Sequence, residues 1–214
     1  MGEPDNNLVN YVYTYLQQGY EVNAIKDSLL KQGFKKKQID IAALIGKMSI
    51  EEKAGEMTQL DLGLIANGDV CKLTQPQSIN PAKLKKAINQ YHIGSFLNVG
   101  CGSGTISREN WQKIFAAIGS ETKNTKLQIP VIYGIDAIHG NNYTIGATLF
   151  PQQIAQAATW NPDLVKQGYE VTAYEARASG IPWNFSPVLD LGRQPLWSRF
   201  FETFGEDVLL ANKM

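Results

Sequence analysis

The sequence predicts an α/β fold carried on a parallel sheet, with a small helical segment in front of it. Three observations predict it. Short apolar runs at 93–99, 130–135 and 181–191 are hydrophobic on both faces, as strands covered on both sides by helices must be. Helix signals alternate with those runs, which is the order of βα units. Residues 1–40 carry helical apolar periodicity and no strand signal. Composition permits such a fold: of 214 residues, 43% are hydrophobic and 19% charged, enough apolar material for a packed core.

The helical segment comes first. Leu8, Tyr11, Val12, Tyr15 and Leu16 fall on one helix face, and Gly19 follows as a stop. Val22, Ile25, Leu29 and Leu30 make a second stripe, closed by Gly33. The two ends echo each other, Leu16-Gln17-Gln18-Gly19-Tyr20 and Leu30-Lys31-Gln32-Gly33-Phe34. Residues 1–40 therefore read as a helical hairpin, or a three-helix module with its last helix from about Gln38. So few residues seldom bury enough surface to fold alone, so the segment is expected to dock on something, a protein partner being one candidate. Lys35, Lys36 and Lys37 read as a solvated turn.

From residue 41 the pattern changes, and 41–214 is taken as a second domain. Ser49 and Glu52 form a capping box, opening a helix to about Thr58. Asn80-Pro81 opens another, Asn at the N-cap and Pro at the first helical position, with Leu84, Ala87 and Ile88 inward. The run at 93–99 follows as a strand. Ser107 caps a helix with Trp111, Ile114, Phe115 and Ile118 on one face. The run at 130–135 is the second strand. Asn161-Pro162 opens the longest helix, to about Ala178 with Gly180 as its stop, and 181–191 is the third strand.

Dinucleotide-binding folds and (β/α)8 barrels both have this order. Gly100-Cys101-Gly102-Ser103-Gly104 follows a strand, but it is not the G-x-G-x-x-G fingerprint opening directly into a helix. There is no P-loop and no G-x-S-x-G elbow. With 20 basic and 20 acidic residues the net charge is zero, so nothing draws the chain to nucleic acid or to an acidic membrane. No apolar run approaches the ~18 residues of a membrane span. The polar, acidic start Gly2-Glu3-Pro4-Asp5 is no secretory signal, which makes a cytoplasmic location the default. Two cysteines, Cys71 and Cys101, and two histidines, His92 and His139, support neither a disulfide framework nor a multi-ligand metal centre.

Two segments do more than set a fold. One is Ile132-Tyr133-Gly134-Ile135-Asp136-Ala137-Ile138-His139-Gly140. The other runs from Ser186-Pro187-Val188-Leu189-Asp190 through Gln194-Pro195-Leu196-Trp197-Ser198-Arg199 to Glu202-Thr203-Phe204-Gly205-Glu206-Asp207. With Met48-Ser49-Ile50-Glu51-Glu52-Lys53 they appear in the order and at the spacing of glycoside hydrolase family 3, and residues 41–214 resemble the N-terminal half of a β-glucosidase of that family. The resemblance implies a (β/α)8-type barrel, here partial, with about three βα units, because 41–214 falls short of the ~250 residues of a closed barrel.

The resemblance also implies site residues. The Asp of the G-I-D-A-x-H-G motif, Asp136, and the last Arg of the D-P-R-W-G-R motif, Arg199, contact the innermost sugar. A carboxylate accepts from two neighbouring hydroxyls, and a guanidinium donates several bonds in a rigid fork. His139 is read as a structural hydrogen-bonder, Glu202, Glu206 and Asp207 as braces of the loop with Glu202 orienting Arg199, and Asp190 and Arg193 as structural. Trp183 and Trp197 are read as packing residues rather than sugar platforms.

The chain departs from the family at Gln194, Leu196 and Ser198, which replace the first Asp, the first Arg and the Gly of D-P-R-W-G-R. It also lacks the Lys-His pair and the S-D-W motif that carries the family nucleophile. A retaining glycosidase needs two carboxyls about 5–5.5 Å apart, so neither catalytic residue is assigned here. The expected activity of the complete enzyme is retaining hydrolysis of terminal β-linked glucose from a β-glucoside or oligosaccharide, with no cofactor and no metal. The alternatives are a non-catalytic fragment or interaction protein, or a family 3 enzyme for another sugar, β-xylosidase or β-N-acetylglucosaminidase.

Overall fold

A computed structural model describes residues 6–67, 78–99 and 106–214. Cys71, Cys101 and the glycine-rich stretch 100–104 lie outside the described residues. The chain divides into two compact units, Met1–Glu56 and Met57–Met214.

The first unit is helical: α1 (Asn6–Gln17), α2 (Val22–Lys31), α3 (Lys36–Lys47) and α4 (Ile50–Glu56). Leu8 and Val12 of α1, Ile25 and Leu29 of α2, and Ile39, Ala42 and Ala43 of α3 form its core. The expected stops hold, with Gly19 and Gly33 at φ 84° and 90°. The boundary lies later than the expected 40/41 division, because α3 keeps burying one face along its whole length. Gly46, near its end, sits so close to α1 that a Cβ there would stand 3.0 Å from the Leu16 side chain. The capping box forms as expected: Ser49 Oγ accepts from Glu52 N (3.1 Å), and Glu52 Oε2 accepts from Ser49 N (2.8 Å). Lys53 of α4 then lies over the Tyr13 ring, 5.4 Å from its centroid.

The second unit holds a parallel sheet of four described strands, β1 (Gln59–Asp61), β2 (Ser95–Leu97), β3 (Ile132–Ile135) and β4 (Trp183–Asn184), in the order β1-β2-β3-β4. A doubly wound sheet reverses its strand order at a switch point, whereas a barrel adds each strand beside the last. The sequential order is that of a partial barrel. Between strands lie α5 (Pro81–Lys85) with a π-helical turn at Lys86–Gln90, then α6 (Arg108–Thr122), then α7 (Gln153–Ala157) and α8 (Pro162–Ala178). The last helix is α9 (Val208–Lys213). The three expected caps are in place, Asn80, Ser107 and Asn161 each accepting from backbone N–H groups of its first turn.

Two strand expectations are corrected. β1 is an addition to the expected strands, since Gln59-Leu60-Asp61 is short and polar at both ends, with all three residues half-buried. The third expected strand, 181–191, pairs only at Trp183-Asn184, in register with Gly134 and Ile135. Pro182 and Pro187 bracket that short segment, and a proline has no N–H for the ladder. Leu189, expected inside a buried strand, is 79% exposed.

The core beneath the site is aromatic. Trp111 of α6 is fully buried, stacked on Phe115 (centroids 5.6 Å apart) and edge-on to Tyr133 of β3 (5.3 Å). Its Nε1–H donates to Thr144 Oγ1 at 3.0 Å, so the buried polar atom is satisfied. Among the described residues no helix is long and apolar enough to cross a membrane.

Candidate active site

Each strand delivers a polar residue at its C-terminal end. Asp61 closes β1, Asn98 follows β2, Asp136 follows β3 and Asn184 closes β4. This is the face on which parallel barrels keep their sites.

Asp136 is held from one side by Asn98. The Asn98 Nδ2–H donates to Asp136 Oδ2 at 2.7 Å, and Asn98 Oδ1 accepts from the Asp136 backbone N at 3.0 Å. Asn98 is itself fixed. It has φ 45°, its N–H donates to Gly134 O at 3.1 Å, and its carbonyl accepts from the Tyr133 hydroxyl. From the other side Asn184 Oδ1 accepts from Ala137 N at 3.1 Å, and Ser186 Oγ donates to Ala137 O at 2.9 Å. The turn carrying Asp136 is thus gripped by both neighbouring strands. Asp136 Oδ1 has no protein donor among the described residues, so one carboxylate oxygen remains to accept from a ligand.

Arg199 sits just before a 3-10 turn at Phe200–Glu202. Its Nε and Nη2 both reach Glu202 Oε2, at 2.7 and 2.5 Å. The Glu202 side chain is 13% exposed and that of Arg199 53%, so the acid is seated and the guanidinium reaches outward. Glu202 above all, then Asp136 and Asp190, hold the Arg199 guanidinium protonated beyond its ordinary range. The two expected site residues are therefore within electrostatic reach of each other. Tyr143 reports the same convergence: burial first, then the negative charge of Asp136, Asp61 and Glu202, pushes its phenol up to about 12. Burial, with Asp61 and Tyr143, also holds the Tyr133 phenol well above its ordinary range. A seated carboxylate with an open oxygen, within electrostatic reach of a guanidinium with an uncommitted nitrogen, can accept from and donate to sugar hydroxyls.

Residues 49–214 match the Glycosyl hydrolase family 3 N terminal domain. The chain belongs to glycosyl hydrolase family 3. A lysosomal beta glucosidase of Dictyostelium discoideum is 41% identical over 180 residues, which are 80% of this chain and 21% of that protein. The exo-1,3/1,4-beta-glucanase of a Pseudoalteromonas species superposes with a TM-score of 0.64 at 31% identity, over 81% of this chain and 20% of that one. A mutant beta-glucosidase of Listeria innocua, solved in complex with laminaribiose, gives 0.57 at 31% identity, over 79% and 21%. The chain spans about a fifth of the length of these relatives.

The other residues of the family 3 motifs fall mostly into supporting places. His139 exchanges two bonds with Phe150: its Nδ1 lies 2.8 Å from the Phe150 carbonyl oxygen, and its own carbonyl accepts from Phe150 N at 2.7 Å. Asp207 caps α9 through Oδ1 to Leu210 N at 2.8 Å. Asp190, Arg193 and Glu206 are exposed. Trp183 is partly exposed and packs edge-on to Phe185, centroids 4.8 Å apart, while Trp197 is half-buried. Among the described residues no three of His, Cys, Asp and Glu are grouped to hold a metal. Asn98, Asn184, Asp61 and Tyr143 are not singled out by the sequence. For Asn98 and Asn184 the one available signal is a polar residue at the end of an apolar run.

Proposed function

We propose that this chain supplies part of the glucose-binding wall of a retaining, exo-acting β-glucosidase that acts on β-glucosides or β-glucans. The nucleophile and the general acid/base would come from segments outside residues 1–214. The single observation that carries this reading is the doubly gripped Asp136, open at Oδ1, within electrostatic reach of the Glu202-seated Arg199. Neighbouring sugar hydroxyls offer donors to the one and acceptors to the other. Family relatives named as β-glucosidases and an exo-glucanase support glucose as the sugar.

Such contacts strengthen as the ring flattens toward an oxocarbenium-like transition state. The test is kcat/KM on an aryl β-glucoside, in a chain extended through the rest of the family 3 fold. A charged hydrogen bond is worth about 1.5–3 kcal/mol, so Asp136→Asn is expected to lose roughly 10–200-fold. Arg199→Lys is expected to lose nearly as much, because a point charge cannot copy the fork. His139→Gln is expected to lower the melting temperature more than the rate. Near-full activity in Asp136→Asn, with activity lost in a normally melting His139→Gln, would reverse these roles. The 214-residue chain alone is expected to show no turnover above background.

A further inference from the structure

We propose that the α2–α3 face of the helical unit is a docking surface for an acidic, leucine-bearing segment of a partner protein. The face lies outside the family match, which begins at residue 49, and the sugar site plays no part in it. Its shape comes from two adjoining clefts of about 520 and 470 Å³ that share Lys36 and Asp40. The first lies between α2 and α3, with Leu30 on its wall, and the second runs along α3 past Ile41 and Leu44. Leu30 is 46% and Ile41 43% exposed, while the opposite sides of the same helices fill the core with Leu29, Ile39 and Ala42. These helices therefore present apolar side chains on the outside as well as the inside.

Charge identifies the occupant. Within the cleft Lys26 is already paired, its Nζ 2.6 Å from Asp40 Oδ1. Lys36 and Lys37 line the clefts, Lys31 ends α2 and Lys35 stands at the N-cap of α3; all four are exposed and make no ion pair among the described residues. Asp27 is the only other carboxylate lining the clefts. Three of those lysines stand at the N-cap and first two positions of α3, whose first turn holds no acidic residue; Asp40, one turn on, lies within electrostatic reach of Lys36. Cations at a helix N-terminus oppose the helix dipole, and with Asp40 already paired to Lys26 this end of α3 gains from an approaching anion. A cation cluster alone would suit any polyanion. Apolar side chains beside it add a requirement that nucleic acid and phosphate do not meet, and an acidic peptide with leucine anchors meets both.

The test is fluorescence anisotropy with the full 214-residue chain. The probes are a labelled 14-residue peptide of glutamates with leucines at i, i+3, i+4 and i+7, the same peptide with serine for leucine, a lysine-for-glutamate version, and phosphatidylserine vesicles. The leucine–glutamate peptide is expected to bind saturably below about 100 μM and to weaken as salt screens the lysines. Replacing its leucines is expected to weaken binding at least fivefold. Ile41→Ser should do the same, and Lys36→Glu with Lys37→Glu should weaken it at least tenfold. All these positions are exposed, and unchanged far-UV circular dichroism checks that each variant is folded. No saturable binding of the leucine–glutamate peptide would overturn the proposal. Equal binding by the serine peptide or the vesicles, or an Ile41→Ser variant that binds normally, would overturn it as well, since a diffuse cationic patch would then account for the signal.

Discussion

Glycine plays different parts in the two units. In the helical unit Gly19 and Gly33 end helices at positive φ, and a methyl group on either would meet nothing within 4 Å. In the sheet unit a Cβ on Gly134 would stand 2.3 Å from the Phe185 ring, and one on Gly140 2.1 Å from the Thr148 carbonyl oxygen. The first kind answers a local need, a left-handed residue to stop a helix. The second answers a tertiary one: two stretches of chain share a space that admits only a hydrogen. The helix ends of the first unit are thus specified by neighbours in sequence, with Gly46 against Leu16 as its tertiary exception, and the chain around Gly134 and Gly140 by neighbours in space.

The largest effect that would break or sharpen this contrast is at Gly140. With φ 109° and a backbone oxygen in the way, Gly140→Ala faces both a left-handed strain and an overpacking cost, together roughly 2–5 kcal/mol. All four tryptophans, at 111, 160, 183 and 197, lie in the sheet unit, so tryptophan fluorescence in urea reports that unit alone. Its midpoint is expected to fall sharply, while amide exchange within 6–56 stays as it was. An unchanged midpoint would mean that the turn at 140 yields and that the contrast is overdrawn.

The same contrast explains what could be read in advance. The bounds of α8 follow from Asn161, Pro162 and Gly180, all within one turn of the helix ends, and they are seen where expected. The ends of α1 and α2 were legible for the same reason. The continuation of α3 to Lys47 was not, because it depends on Gly46 meeting Leu16, thirty positions earlier. Strand β1 was hidden because Gln59 and Asp61 are polar, and its pairing with Ser95 and Leu97 makes it a strand. At the site, Asp136 and Arg199 were legible through motifs that resemble a family. Asn98 was not, because its purpose appears only when β2 lies beside β3 and its amide meets Asp136, 38 positions on. Glu202 lies within the motif, three positions from Arg199, and the structure pairs the two.

A smaller effect tests the helical side. Gly33→Ala meets no atom, so its cost is the left-handed backbone alone, about 1–2 kcal/mol before a partial offset from the stiffer unfolded chain. Amide exchange in α2 and α3 is expected to quicken by about tenfold for each 1.4 kcal/mol lost, with the tryptophan transition unmoved. If the tryptophan midpoint fell with it, the two units would not be separately specified.

The smallest effect concerns Tyr143 and shows only at high pH. Burial, with the carboxylates of Asp136, Asp61 and Glu202, raises its folded-state pKa from 10 to about 12. The folded chain therefore holds this proton more tightly than the unfolded chain does. Its contribution to stability is complete below pH 10 and is lost as pH rises from 10 through 12. Tyr143→Phe removes the titrating group. Its effect at pH 7 should stay within about 0.5 kcal/mol, as for a hydroxyl with no protein partner among the described residues. Between pH 10 and 12 the variant should lose stability less steeply than the parent, read by tryptophan fluorescence in urea. Tyr169, also raised to about 12 by its burial, keeps part of the slope in both proteins, so the difference between the two slopes is the quantity to measure. Identical slopes would mean that burial and the three carboxylates together do not hold the Tyr143 proton above its ordinary range.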